Sequence, residues 1–252
     1  MPTTVSVRER RAKGRVFTQL HLTSDSGVNP LSSGTVQEIR ETLQRLCAPG
    51  TAHGLLLSAE GRSFSAGADV KEFRSFDLGD FRRYMSDILA MYAEMTEFPK
   101  PIVSLVHADA LGGGAALAFF SDFVIAVDSA RFGLPEVHRG LAGGGYLMPK
   151  LIGKHRAAEM VLLGRSFSAS DMLGWGLVNE VCSAGEMEER AHALCEELAT
   201  LSVEAFAVAK ASLSGGLALG LREAMERHVV AQTEAFARAR TERSAAAVAS
   251  GN

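Results

Sequence analysis

Ile102-Val-Ser-Leu-Val106 leads through four residues into Leu111-Gly112-Gly113-Gly114, and 115–121 follows without a break. The first run is apolar but for Ser104 and rich in β-branched residues, which reads as a buried strand, and the last reads as a helix. Between them, three residues without side chains let backbone N–H groups approach an anion where a helix begins. The same glycines also suit a tight strand-to-helix turn with close packing, and the stretch alone leaves both readings open.

Working outward, Phe123-Val-Ile-Ala-Val127 is a further buried strand, Gly133-Leu-Pro135-Glu136 a turn and Gly143-Gly-Gly145 another. Upstream, 16–22 alternates as a strand and Asn29-Pro30 ends that region. Ser32 and Ser33 can cap a helix carrying Val36, Ile39, Leu43 and Leu46, which stops at Pro49-Gly50. A buried strand at 54–57 enters 60–69, a stretch too rich in Gly and Ser to be regular. An amphipathic helix follows over 78–97, with Phe81, Met85, Ile88, Leu89, Tyr92 and Met95 on its apolar face and Pro99 beyond it. From Lys154 the pattern is helical, at 156–163, 169–174, 185–199, 204–212 and 221–243, with one short strand at 177–181 and a fraying end at 244–252. The expectation is an α/β core over 1–195 and a helical region over 196–252 packed on the core or on a neighbouring subunit.

Of 252 residues, 47% are hydrophobic and 22% charged, and the net charge of −3 is spread without a like-charge block. That argues against a nucleic-acid surface. The longest apolar runs, 115–120 and 123–127, fall far short of the ~20 residues a bilayer span needs. Arg8, Arg10, Arg11, Lys13 and Arg15 near the start have no apolar stretch behind them to make a signal segment. Cys47, Cys182 and Cys195 form neither a disulfide framework nor a zinc site. A cytoplasmic protein with no metal, no nucleic acid and no membrane partner is expected. The 25 glycines stand out at roughly a tenth of the chain, against about 7% in average proteins.

Familiar glycine chemistries do not fit. No G-x-x-x-x-G-K-[ST] is present, because His155 stands after Gly153-Lys154 where a metal-binding hydroxyl belongs. Gly112-Gly-Gly114 lacks the glycine that would complete a dinucleotide fingerprint, and Gly61-Arg-Ser63-Phe-Ser65 lacks the closing glycine of a nucleophile elbow. What remains is an oxyanion hole, two backbone N–H groups on separate loops that stabilise charge appearing during reaction.

Phe64-Ser-Ala-Gly-Ala68-Asp69-Val-Lys71-Glu72-Phe73, Ala110-Leu-Gly-Gly-Gly114 and Phe132-Gly-Leu-Pro-Glu136 occur in that order, followed by Gly164-Arg-Ser-Phe-Ser-Ala-Ser-Asp171 and Gly174-Trp-Gly-Leu-Val-Asn179-Glu180. In these motifs the chain resembles the crotonase, or enoyl-CoA hydratase/isomerase, superfamily over most of 16–181. The resemblance implies an α/β spiral of β-β-α units with a C-terminal helical trimerisation region, assembled as a homotrimer or homohexamer. It implies a coenzyme A thioester as substrate and no further cofactor. It also implies that the Ala68 and Gly113 amides form the oxyanion hole. The substrate-binding set it implies is Ala66, Ala68, Asp69, Val70, Lys71, Gly112, Gly113 and Leu134.

Hydratases of that family use two glutamates. The second matches Glu136, and the first falls at Ala116, at the family's usual separation, so this is a substitution within an intact motif. A hydratase must activate water at C3 and protonate C2, two tasks that two carboxylates divide. One carboxylate suits a proton moved between two carbons. The expectation is therefore an enoyl-CoA isomerase with Glu136 as its catalytic base, its pKa raised by Leu134, Val137 and Leu141. A hydratase, another enolate-forming lyase or decarboxylase on CoA or a carrier, and a non-catalytic acyl-CoA-binding subunit are the alternatives. Two further departures are the loop 140–146, shorter than the family's and without Pro, and an ending without the family's Lys-Arg-x-Pro-aromatic pattern. His107, His138 and Asp122 are the residues in which a second acid or base is to be sought.

Overall fold

The computed structural model describes residues 3–216 and 219–249. Strands β1 (Thr4–Ala12) and β2 (Arg15–Thr23) pair antiparallel around Lys13-Gly14. Both turn residues have positive φ, 45° and 76°, as a two-residue hairpin of right-handed twist requires. β1 is absent from the sequence reading because it is an edge strand. Its Arg8, Glu9 and Arg11 face solvent without apolar alternation, the charged dressing that discourages further pairing. Helix α1 (Ser33–Cys47) starts at Ser32, whose Oγ accepts from the Thr35 N–H at 3.2 Å.

A repeating unit follows. β3 (Gly54–Ala59), β4 (Ser63–Ser65) and α2 (Leu78–Glu97) make its first turn, with a short 3-10 helix at Glu72–Ser75. β5 (Ile102–Val106), β6 (Asp109–Leu111) and α3 (Gly113–Phe119) make the second. β7 (Phe123–Val127), β8 (Arg131–Gly133), a 3-10 helix at Pro135–Arg139, α4 (Met148–Ile152) and α5 (Lys154–Val161) make the third. β9 (Ser166–Ser168), α6 (Ala169–Trp175), β10 (Glu180–Cys182), α7 (Met187–Leu198), α8 (Val203–Gly216) and α9 (Leu221–Ala249) complete the chain.

Each turn adds a long strand to a six-stranded sheet, ordered β1-β2-β3-β5-β7-β10, and a short strand to a four-stranded one, ordered β4-β6-β8-β9. β3, β5 and β7 are parallel neighbours, as are β4, β6 and β8. This is the β-β-α spiral. β3 and β5 are buried at every position, which is why both are apolar but for one serine each.

The structure corrects several boundaries. The stretch 60–69 is not wholly irregular, since it contains β4, and β6, β8, β9 and α4 are further elements that the sequence pattern does not predict. Three-residue strands carry too little alternation to register; the sheet around them holds them. The last strand lies at 180–182 and not 177–181, and α3 begins at Gly113 and not Ala115. α2 has the expected limits, but its buried face is Tyr84, Ile88, Met91, Tyr92 and Met95, with Leu89 58% exposed. The fraying expected over 244–252 gives way to helix through Ala249, and 250–252 lie outside the described residues.

α8 is fastened to the spiral by Lys210, whose Nζ donates to Asp122 Oδ2 at 2.8 Å, while the Ile102 N–H donates to the same oxygen at 2.8 Å. Burial pushes the Asp122 pKa up and the Lys210 pKa down, so each keeps its charge through the other. Among the described residues no helix is long and apolar enough to cross a membrane.

Candidate active site

Two loops meet at the top of the short sheet. Asn29, with φ 48°, is fully buried, and its Nδ2 donates to Glu60 O at 2.8 Å and Ser63 O at 2.9 Å. This pins the segment entering β4 and sets up the first loop. Beyond it the Leu31 N–H donates to Gly67 O at 2.8 Å and the Asp69 N–H donates to Leu31 O at 3.2 Å. Leu31 thus brackets Ala68 from both sides as an isolated parallel bridge, and the Ala68 N–H faces away from it.

The second loop turns at Gly112, with φ 55° and ψ −127°, a backbone conformation that favours glycine. The Gly112 N–H donates to Gly133 O at 2.8 Å, and Gly113 opens α3. The loops touch through Gly67: at φ 80°, a Cβ there would lie 2.7 Å from both the Gly113 nitrogen and Leu111 O. Among the described residues, neither the Ala68 nor the Gly113 N–H has an acceptor. Two unpaired donors on touching loops can hold an oxygen that gains charge.

Glu136 lies on the 3-10 helix after β8, where Pro135 fixes the first position. Its carboxylate is seated between the glycine loops. A Cβ on Gly112 would be 3.0 Å from Oε1, and one on Gly143 only 2.7 Å from Cδ. Oε2 is buried without a hydrogen-bond partner. Burial pushes the Glu136 pKa above the ordinary carboxylate range, opposed by its own backbone N–H and by the Arg139 charge. Backbone of Gly112 and Gly143 therefore lies against the carboxylate. Leu134 is buried under Gly144, Val137 is 41% exposed, and Leu141 lines a neighbouring groove.

That groove, about 710 Å³, is walled by Val70, Phe73, Phe76, Leu78, Phe81 and Leu141, with Asp77 and Arg139 at its edge. Ala66 donates its N–H to Val28 O at 2.8 Å, Asp69 Oδ1 accepts from the Lys71 N–H at 3.0 Å, and the Lys71 side chain is exposed. Ala66 through Lys71 thus form one strip leading from Ala68 to the surface.

Ala116 stands one helical turn after Gly113, on the same face of α3, and offers a methyl group. The three candidates for a second acid or base differ in how they are held. Asp122 is paired with Lys210. His107 reaches Gly61 O with Nε2 at 3.1 Å, leaving Nδ1 unpartnered. His138 packs against Gly164, where a Cβ would be 2.5 Å from its Nε2. His228, on α9, contacts Ser212 Oγ at 3.0 Å. Among the described residues no cluster of His, Cys, Asp or Glu could hold a metal ion. No motif marks the backbone of Leu31 or the hydroxyls of Tyr84 and Tyr92 as part of the site.

The Glu136 environment predicts a pH profile. A base works as its carboxylate, and burial raises its pKa, so kcat/KM should fall as pH drops through a midpoint above the ordinary 4.5. The acid limb of a pH–rate profile measures it, and a limb at or below that ordinary value would contradict the arrangement.

A family model described as enoyl-CoA hydratase/isomerase matches residues 15–249. The chain is 33% identical over 214 residues, 84% of its length and 76% of the relative's, to a probable mitochondrial enoyl-CoA hydratase of Dictyostelium discoideum. It is 30% identical over 220 residues, covering 86% and 75% of the two chains, to a mitochondrial enoyl-CoA hydratase of Pongo abelii. The enoyl-CoA hydratase of Bacillus anthracis superposes with a TM-score of 0.83 at 28% identity, over 92% of this chain and 89% of that one.

Proposed function

The chain belongs to the enoyl-CoA hydratase/isomerase family, and from that premise we propose that it shifts the double bond of a 3-enoyl-CoA to give the 2-enoyl-CoA. The observation that carries this reading is Ala116 one turn after Gly113, a methyl group in place of a second glutamate, with the Glu136 carboxylate against the Gly112 loop.

The Glu136 carboxylate removes a proton from C2. The electrons of that C–H bond delocalise over C2, C3 and C4 and onto the thioester oxygen, where the Ala68 and Gly113 N–H groups meet the negative charge. Protonated Glu136 then returns the proton at C4, the double bond settles between C2 and C3, and the carboxylate is regenerated. A thioester α-proton is barely acidic, so the oxyanion donors matter most, at ~3–4 kcal/mol each. The scheme uses no cofactor beyond the thioester itself. The strip Ala66, Asp69, Val70 and Lys71 takes the coenzyme A portion, Gly112 and Leu134 border the reacting carbons, and the apolar groove takes the acyl chain.

Mixing the enzyme with a 3-enoyl-CoA should produce the absorbance of a conjugated thioester, and no such rise would overturn the reading. The relatives named as hydratases favour a second one, hydration of a 2-enoyl-CoA. Its product is a 3-hydroxyacyl-CoA, which chromatography separates. Leu213 of α8 and Leu221, Met225, Val229 and Phe236 of α9 are exposed apolar side chains, surface that a homotrimer or homohexamer would cover.

A further inference from the structure

The buried face of α2 carries two tyrosines where aliphatic residues would fill a core, Tyr84 at 2% exposure and Tyr92 at 5%. A buried phenol hydroxyl needs an acceptor, and in both cases that acceptor is a backbone carbonyl beside one of the unpaired amides. Tyr84 Oη donates to Leu31 O at 2.8 Å, the carbonyl that also receives the Asp69 N–H and so brackets Ala68. Tyr92 Oη donates to Gly113 O at 2.8 Å and lies 2.9 Å from where a Cβ on Gly113 would be.

Both rings are immobilised. Phe73 meets Tyr84 edge to face at 5.0 Å, and Phe120 stacks on Tyr92 at 4.9 Å and 9°. Both hydroxyls remain neutral donors, since burial raises the two phenol pKa values above their ordinary range, with the Glu136 charge adding to the effect at Tyr92. α2 itself is a rigid reference, 20 residues long and closed at its start by the reciprocal Asp77–Asp80 capping box.

We propose that Tyr84 and Tyr92 are positioning residues for the oxyanion hole: one helix indexes both loops, so that the Ala68 and Gly113 N–H groups aim at one oxygen. This rests on reading those amides as the oxyanion hole. The two donors belong to different turns of the spiral, and a donor tilted away from the developing charge loses much of its effect without any loss of substrate binding. Leu31 O keeps the Asp69 N–H when the Tyr84 hydroxyl is removed, so a Phe ring in the same space preserves the fold while releasing the aim.

The test compares wild type with Y84F, Y92F and the double variant. Two quantities are read, kcat and KM on a 3-enoyl-CoA, and the pH midpoint at which bound acetoacetyl-CoA, a β-ketoacyl thioester, shows enolate absorbance. Each single variant should lower kcat about tenfold with KM within about twofold, and the double variant about a hundredfold. The enolate midpoint should rise by about one pH unit per hydroxyl removed, the equivalent of a tenfold loss of enolate stabilisation. Melting curves recorded alongside separate this from a packing defect. Lower melting temperatures with kcat and enolate midpoint unchanged in both single variants would overturn the proposal. A wild-type protein that fails to lower the enolate midpoint below that of free acetoacetyl-CoA would overturn the oxyanion-hole reading, and the positioning role with it.

Discussion

Glu136→Gln should reduce the conversion of 3-enoyl-CoA to 2-enoyl-CoA by roughly 10²–10⁴-fold, the usual worth of a positioned general base. The amide matches the carboxylate in size, so the seat between Gly112 and Gly143 stays filled. KM should change little, because the thioester oxygen and acyl chain meet other groups. Stability supplies an independent sign. The folded-state pKa of Glu136 is raised by burial, so the carboxyl favours the native state when protonated, and that contribution is lost as pH rises through the folded pKa. At neutral pH, removing the ionisable group should therefore leave the protein as stable or more stable, measurable by denaturant titration. Inactivation accompanied by a stability loss would instead mark Glu136 as a structural residue.

Gly67→Ala should carry the second large effect, for a steric reason. Gly67 has φ 80°, and an added Cβ would sit 2.7 Å from the Gly113 nitrogen and from Leu111 O, both backbone atoms without a rotamer to yield. The two loops must separate, and with them the two amides. A fall in kcat of about 10²–10³ follows, as for the removal of one oxyanion donor. A stability loss of about 1–3 kcal/mol comes from the left-handed backbone and the overpacking. Gly176→Ala isolates the two causes, since Gly176 has φ 78° at the end of α6 with no atom within 4 Å of the added Cβ. It should show the backbone strain alone and retain full activity.

How much of this was written in the sequence depends on the kind of residue. β3 and β5 are buried throughout and β7 nearly so, and they announce themselves as mainly apolar runs, while α2 has its expected limits because Asp77 and Pro99 bound a clear helical period. The glycine motifs and Glu136 stand out in the sequence through their resemblance to the family's motifs, for an isolated glutamate on a turn carries no mark of its own. Tyr84 and Tyr92 do not stand out. A tyrosine on an apolar helix face looks like core, and only the three-dimensional arrangement reveals that its hydroxyl ends on the carbonyl of Leu31 or Gly113. Leu31 is likewise an ordinary leucine whose backbone does the work. Gly112 and Gly143 also lie against the Glu136 carboxylate, and glycine carries no hydropathy signal that would mark such a site.

The most direct test of a single carboxylate moving a proton between two carbons is an isotopic one. A 3-enoyl-CoA labelled with deuterium at C2 is converted in ordinary water and the product is read at short times by mass spectrometry and NMR. The account predicts a 2-enoyl-CoA carrying part of that deuterium at C4, with no 3-hydroxyacyl-CoA formed. A 3-hydroxyacyl-CoA product, or a 2-enoyl-CoA with no deuterium at C4 at any time, would contradict it.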